Sequence, residues 1–191
     1  MLRVKANERG EVEKYKARVV AKGFSQVEGV DYDQTFSPTV RFESKRQMVA
    51  LGTSKGMLMH QMDVTTTFLY APLEEEVYME QPEGTIKEGD EGKVMRLWKC
   101  LYGLKQAPRE WNHYIDAVLK RMGFIRLKSD FGVYMKGEGE GAVFIALYME
   151  DLLLVGRRLD QIKEVKAGLH SEFKMKDLGE AKILLGMEIR R

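Results

Sequence analysis

The chain has 191 residues, 44% of them hydrophobic and 31% charged, with 4 Pro and a formal net charge of +2. Those values suit one globular domain with a real core, and exclude a disordered chain or one that binds nucleic acid through bulk positive charge. One cysteine, Cys100, excludes a disulfide framework or a cysteine-built zinc site and fits a reducing intracellular setting.

The N-terminus MLRVKANERG lacks the apolar core of a signal peptide, and no apolar run reaches membrane-spanning length, so no membrane is expected as a partner. Residues 1 to 23 are expected to form two strands about a turn at Glu8-Arg9-Gly10. This opening is basic, with Arg3, Lys5, Arg9, Lys14, Lys16, Arg18 and Lys22 against Glu8, Glu11 and Glu13. Such a pattern suits phosphates, and equally a solvated hairpin. The chain opens as a hairpin already under way and stops inside the strand-like run LLGMEIRR, so a piece of a longer protein is expected.

GVDYDQTFSPTVR reads as loop, and residues 43 to 55 as a helix closed by Gly56. The β-prone run LMHQM then leads into Asp63. The acidic segment from Glu74 to Gly92 reads as a surface excursion. KVMRLWKCLYGLKQAP is strand, then turn, with Pro108 placed to start a helix. Trp111, Ile115, Val118, Leu119 and Met122 mark one face of that helix, which Gly123 stops. GVYMK is a short strand. Asp160 is positioned to cap a last helix with Ile162, Val165, Leu169 and Phe173 on its buried face, and AKILLGMEI reads as a final strand. The mixture indicates an α+β fold, an antiparallel sheet with helices on one side.

The stretch LYMEDLLLVG, Leu147 to Gly156, is the most informative. Two adjacent acids, Glu150 and Asp151, interrupt an apolar run that begins at Ala142. Burying two like charges together is prohibitive, so the run must be a hairpin that keeps both flanks in the core and exposes its tip. Met-Glu-Asp-Leu is poor turn chemistry, which argues against an ordinary acidic turn. Paired carboxylates on a rigid support suit a hard divalent cation such as Mg²⁺, and phosphoryl transfer by two metal ions needs a carboxylate shared between them. Asp63, which also ends a β-prone stretch, is the best third acid. Its plain alternative is a helix or turn cap.

Seven blocks follow in order: KARVVAKGFSQVEGVDYDQTFSPTVRFES, HQMDVTTTFL, EEEVYMEQPEG, LYGLKQAPREWN, SDFGVYMK, LYMEDLLLVG and FKMKDLGEAKILLGMEI. Together they closely resemble the reverse transcriptase (RNA-directed DNA polymerase) domain of copia-type LTR retrotransposons, over nearly the whole chain.

The resemblance implies a right-hand polymerase in which about 1–60 is mainly fingers and about 61–191 mainly palm, with the thumb absent. It implies a catalytic, metal-holding set of Asp63, Glu150 and Asp151 with two Mg²⁺, for which Mn²⁺ can substitute. Phe68, Lys16, Arg18, Tyr102 and Gly103 would meet the incoming nucleotide. Lys105, Gln106, Tyr148 and Met149 would meet template and primer. Each has a structural alternative: a core Phe, exposed strand charges, or a strand-to-helix turn. Trp111 belongs with the helical core. The implied partners are an RNA or DNA template with primer, dNTPs, and the integrase and RNase H of the same polyprotein, inside a cytoplasmic virus-like particle.

The chain departs from the family pattern in places. Glu150 stands where the Y-V-D-D block has its first Asp. Thr67 replaces an Ala, Tyr70-Ala71 an Asn-Gly, and Lys45 takes a usually apolar place. Two readings other than an active polymerase follow: a catalytically impaired palm that at most binds nucleic acid or protein, and an RNA-binding module that stacks bases on sheet aromatics.

Overall fold

The computed structural model describes residues 2–7, 9–184 and 187–188. β1 (Leu2–Ala6) and β2 (Val12–Ala17) pair antiparallel as the expected hairpin. Its turn is built on Asn7, whose side-chain oxygen accepts from the amides of Arg9 and Glu11 at 3.0 Å each. Glu8 lies outside the described residues. Loop with a 3-10 turn over Gly23–Ser25 follows to Arg41, then helix α1 (Phe42–Ser54), which ends at Gly56 with φ +61°.

The central sheet begins with β3 (Leu58–Val64). A 3-10 turn over Thr67–Tyr70 leads to β4 (Pro72–Glu80) and its partner β5 (Val94–Lys99). The acidic segment is therefore not all excursion. Its first part is strand, with Leu73 and Val77 buried while Glu74 and Glu76 face outward. Helix α2 (Ala107–Arg121) carries Pro108 in its first turn and buries Trp111, Ile115, Val118 and Leu119, as the spacing predicts.

β6 (Ile125–Arg126), β7 (Val133–Lys136), β8 (Val143–Tyr148) and β9 (Asp151–Gly156) follow, then α3 (Leu159–Glu172), β10 (Met175–Glu180), β11 (Ile183–Leu184) and β12 (Met187–Glu188). Arg158, not Asp160, occupies the cap position of α3; Asp160 lies in its first turn and pairs with Arg158 instead. Acidic charge there still suits the positive end of the helix. The expected final strand is a short β11–β12 hairpin. Residues 185, 186 and 189 of that run lie outside those described.

The main sheet is antiparallel, in the order β10-β3-β9-β8-β7-β6, and the fold is α+β. Both faces are covered, not one. Met62, Val64, Ile145, Leu147, Leu152 and Leu154 pack with α2 and α3 in the larger core. Met59, Ala146, Leu153 and Val155 point the other way, with Met48 and Val49 of α1 against them. Alternation at period two requires this division, because β8 and β9 are apolar on both sides. Behind β3, Lys166 of α3 donates to Asp177 at 2.6 Å and lies 2.8 Å from Nδ1 of buried His60, which ties α3 to β3 and β10. Among the described residues no helix is long and apolar enough to cross a membrane.

Candidate active site

β8 and β9 pair from Val143↔Gly156 to Tyr148↔Asp151, so the connecting loop is Met149-Glu150. The turn is one residue earlier than a tip formed by both acids. Glu150 is in the loop and Asp151 is the first residue of β9. Met149 takes φ +55°, a left-handed value that is uncommon for a side chain of its size. Two contacts hold it there. The indole Nε1 of Trp111 donates to the Met149 carbonyl at 2.9 Å, and the amide of Val64 donates to the Glu150 carbonyl, also at 2.9 Å. Trp111, assigned above to the core alone, thus also fixes the tip.

Asp63 is the direct ladder partner of Asp151 on neighbouring β3. Cross-strand partners share a face, so Asp63, Asp151 and Tyr148 lie in one row on the α1 side of the sheet. On the other side of β3 the row continues to Lys176, the partner of Asp63 on β10. β10 was not foreseen, so this cation beside the acids was missed; only the pairing reveals it.

Asp151 is pushed above the usual carboxylate range. Desolvation is the main cause, the charges of Glu150 and Asp63 add to it, and Lys45 opposes it. Three like charges therefore act on one another. Oxygen donors of this kind fit a hard divalent ion, and the ladder brings two of them side by side. Among the described residues, however, no three acidic, His or Cys side chains converge closely enough to hold a metal ion. The backbone supplies the placement, and side-chain rotation would have to supply the convergence.

A second group gathers beside the acids. Phe68, nearly buried in the 3-10 turn, packs edge-on against Tyr102 with ring centroids 4.9 Å apart. The Arg18 guanidinium lies 5.0 Å from the Tyr102 ring centre. Tyr102 is raised above its ordinary value chiefly by burial; Arg18 opposes the shift, while the charges of Glu150 and Asp63 add to it. Phe68, Tyr102, Arg18, Glu150 and Asp63 thus share one neighbourhood. Lys16 is on β2, two residues before Arg18 and half-buried. Thr67 is accommodated in the turn, since its hydroxyl donates to the Val64 carbonyl at 3.1 Å. Tyr70 accepts from the Lys174 amide at 2.7 Å and packs edge-on against Phe173.

Gly103 has φ +96°, and a Cβ there would lie 2.1 Å from the Ala21 carbonyl oxygen. The close approach it permits is made by the chain's own segment around Ala21, whose amide donates to the Tyr102 carbonyl at 2.7 Å. Gly103→Ala is therefore expected to lower stability by about 2–4 kcal/mol, read by chemical denaturation. A variant as stable as the parent would show that this segment lifts away freely.

Gln106 is fully buried. It donates to the Asp31 carbonyl at 2.9 Å and accepts from Gln26 at 3.0 Å. Exposed Lys105 reaches the Gln26 carbonyl and the Tyr32 hydroxyl, both at 3.2 Å. Both residues dock the 26–32 segment against the start of α2. Tyr148 is 45% exposed on the site's face.

Two clefts lie apart from the acids, which line neither of them. One of about 640 Å³, between α1 and the β7–β9 region, is apolar, with Met48, Leu51, Met57 and Phe144 in its wall. The other, of about 820 Å³, runs from Arg18 and Gln26 to Tyr78.

Comparison with known proteins gives these residues a context. The sequence matches the family described as Reverse transcriptase (RNA-dependent DNA polymerase) over residues 1–191. It is 45% identical over 179 residues to the Retrovirus-related Pol polyprotein from transposon TNT 1-94 of Nicotiana tabacum, which covers 93% of this chain and 14% of that protein. It is 36% identical over 187 residues to the Retrovirus-related Pol polyprotein from transposon RE1 of Arabidopsis thaliana, covering 98% of this chain and 13% of the relative. A transposon Ty5-1 protein of Saccharomyces cerevisiae is 38% identical over 130 residues, 68% of this chain and 42% of that protein. The chain thus spans only 14% and 13% of the lengths of its two plant relatives. On this evidence the chain belongs to the reverse transcriptase (RNA-dependent DNA polymerase) family, and its relatives are Pol polyproteins of copia-type transposons.

Proposed function

We propose that this chain is the polymerase portion of a copia-type retrotransposon Pol polyprotein and adds deoxynucleotides to a primer 3′-hydroxyl on an RNA or DNA template. The observation that carries the reading is the pairing of Asp63 with Asp151 on adjacent strands, with Glu150 in the turn beside them. In this reading the six-stranded sheet with α2 and α3 is the palm, about residues 61–191, and about 1–60 are mainly fingers.

Members of the family generally use divalent metal ions. Asp63, Glu150 and Asp151 would hold two Mg²⁺, and the chemistry these supply when bound is a more acidic 3′-hydroxyl and neutralisation of triphosphate charge. The rest is the work of side chains. Phe68, braced edge-on by Tyr102, lies under the nucleotide sugar and leaves no room for a 2′-hydroxyl. Arg18 and Lys16 meet the triphosphate with positive charge. The backbone at Gly103 with Lys105, over the support of buried Gln106, forms the floor for template and nucleotide. Tyr148 and Met149 present the tip to the primer end. The template, dNTPs and remainder of the polyprotein, in a cytoplasmic virus-like particle, are the partners this role requires.

A second reading, an impaired palm that at most binds nucleic acid or protein, is favoured by two observations. Glu150 is one methylene longer than Asp, and the three acids do not converge as placed. A misplacement of about 1 Å in a ligand can cost about 100-fold in rate. Primer extension on an RNA template, in Mg²⁺ and in Mn²⁺, with this chain and its Glu150→Asp variant, separates the two. The expected result is extension by both, faster in Glu150→Asp by up to about 100-fold. Extension by Glu150→Asp alone would establish the impaired palm. Extension by neither would remove the polymerase activity from this chain.

A further inference from the structure

Lysine is rarely fully buried unless something compensates its charge. Lys45, on α1, is only 5% exposed. Its ammonium lies 4.1 Å from the centre of the Tyr148 ring, a cation–π contact in which the aromatic face supplies part of the compensation. Tyr148 is the ladder partner of Asp151 and shares its face of the sheet. Lys45 and Asp151 also line one narrow crevice, with Gln61, Ala146 and Leu153. α1 is thus packed so that its one buried cation faces the row of acids. Burial depresses the Lys45 pKa and the charge of Asp151 raises it, so the two groups sense each other.

We infer that Lys45 is a resident counter-ion of the acid row, which offsets the charge of Asp151 from beneath the hairpin tip and weakens the site's hold on divalent cations. The inference rests on the reading of Asp63, Glu150 and Asp151 as metal ligands. Lys45 touches no reacting atom and is a positioning residue. It anchors Tyr148, and its fixed positive charge sets the electrostatic cost of bringing a dication to the row. A cation held there lowers affinity by Coulomb repulsion; for a site open to solvent the effect is on the order of tenfold.

The test is Mn²⁺ binding to the intact chain, followed by the electron paramagnetic resonance signal of the free ion, for the parent, Lys45→Met, Lys45→Arg and Asp151→Asn. Met matches the length and apolar stem of Lys, and Arg keeps the charge. The expected result is binding about tenfold tighter in Lys45→Met, with Lys45→Arg close to the parent. A residue that only stapled the tip would give the opposite sign, because its loss would loosen the site and weaken binding. Equal or weaker binding in Lys45→Met, with Asp151→Asn still impaired, would overturn the role of Lys45 and leave the metal ligands standing. No binding in the parent or in Lys45→Met would overturn both.

Discussion

Asp151→Asn should abolish primer extension, by at least about 1000-fold, while leaving the melting temperature unchanged or higher. The two effects have one origin. Desolvation and the charges of Glu150 and Asp63 hold the Asp151 carboxyl above the usual carboxylate range, so the folded state disfavours its charged form. A raised carboxylate subtracts stability progressively as pH climbs from the ordinary carboxylate value through the elevated one, and the loss is complete only above the elevated value. The amide removes that penalty. The stability of Asp151→Asn relative to the parent should therefore grow as pH rises through this window, read by thermal melts across a pH series. A variant that melts lower than the parent at neutral pH would contradict the electrostatic account. One that retains full extension would remove Asp151 from the chemistry.

Trp111→Phe should cost about 2–4 kcal/mol of stability, the largest effect expected from any conservative core change here. The indole is 1% exposed, packs edge-on against Phe173 at 5.4 Å between centroids, and donates its only N–H to the Met149 carbonyl. Phe keeps most of the contact but leaves that carbonyl without its donor and a void where the second ring was. Because the carbonyl belongs to the tip, primer extension should fall further than the lost stability explains, by about 10- to 100-fold at a temperature where the variant is fully folded. Urea unfolding and single-turnover extension measure the two losses separately. A variant with an unchanged midpoint and unchanged extension would show that the tip holds its shape unaided.

The hairpin was legible because a charge pair cannot be buried inside an apolar run, so the run had to fold back around it. Its turn was read one residue late. Composition alone cannot say whether Asp151 closes the loop or opens the strand, and only the Tyr148↔Asp151 pairing decides it. The faces of α2 and α3 were legible because their large apolar residues recur at helical spacing. β4 was hidden because Glu75 occupies an inward position between Leu73 and Val77 and breaks the alternation. β10, MKDLGE, has almost no strand propensity; its pairing with β3 makes it a strand, and that information is not local. The same missing strand concealed Lys176. Of the residues proposed to meet the nucleotide, Phe68, Tyr102 and Arg18 came from resemblance, and their convergence emerges only when the chain is folded.

Side chains in a strand alternate between faces, so a slip of β9 against β3 by one residue would turn Asp151 into the core and Leu152 out toward the acids. Leu152 and Leu154 are 1% and 0% exposed among the side chains of α2 and α3, so any such slip would empty the larger core. The apolar interior thereby acts as the gauge that sets the spacing of the carboxylates. A sequence drifting by mutation can change at the hairpin tip while this gauge stays intact, and such a descendant would still fold with Asp63 and Asp151 facing the same way.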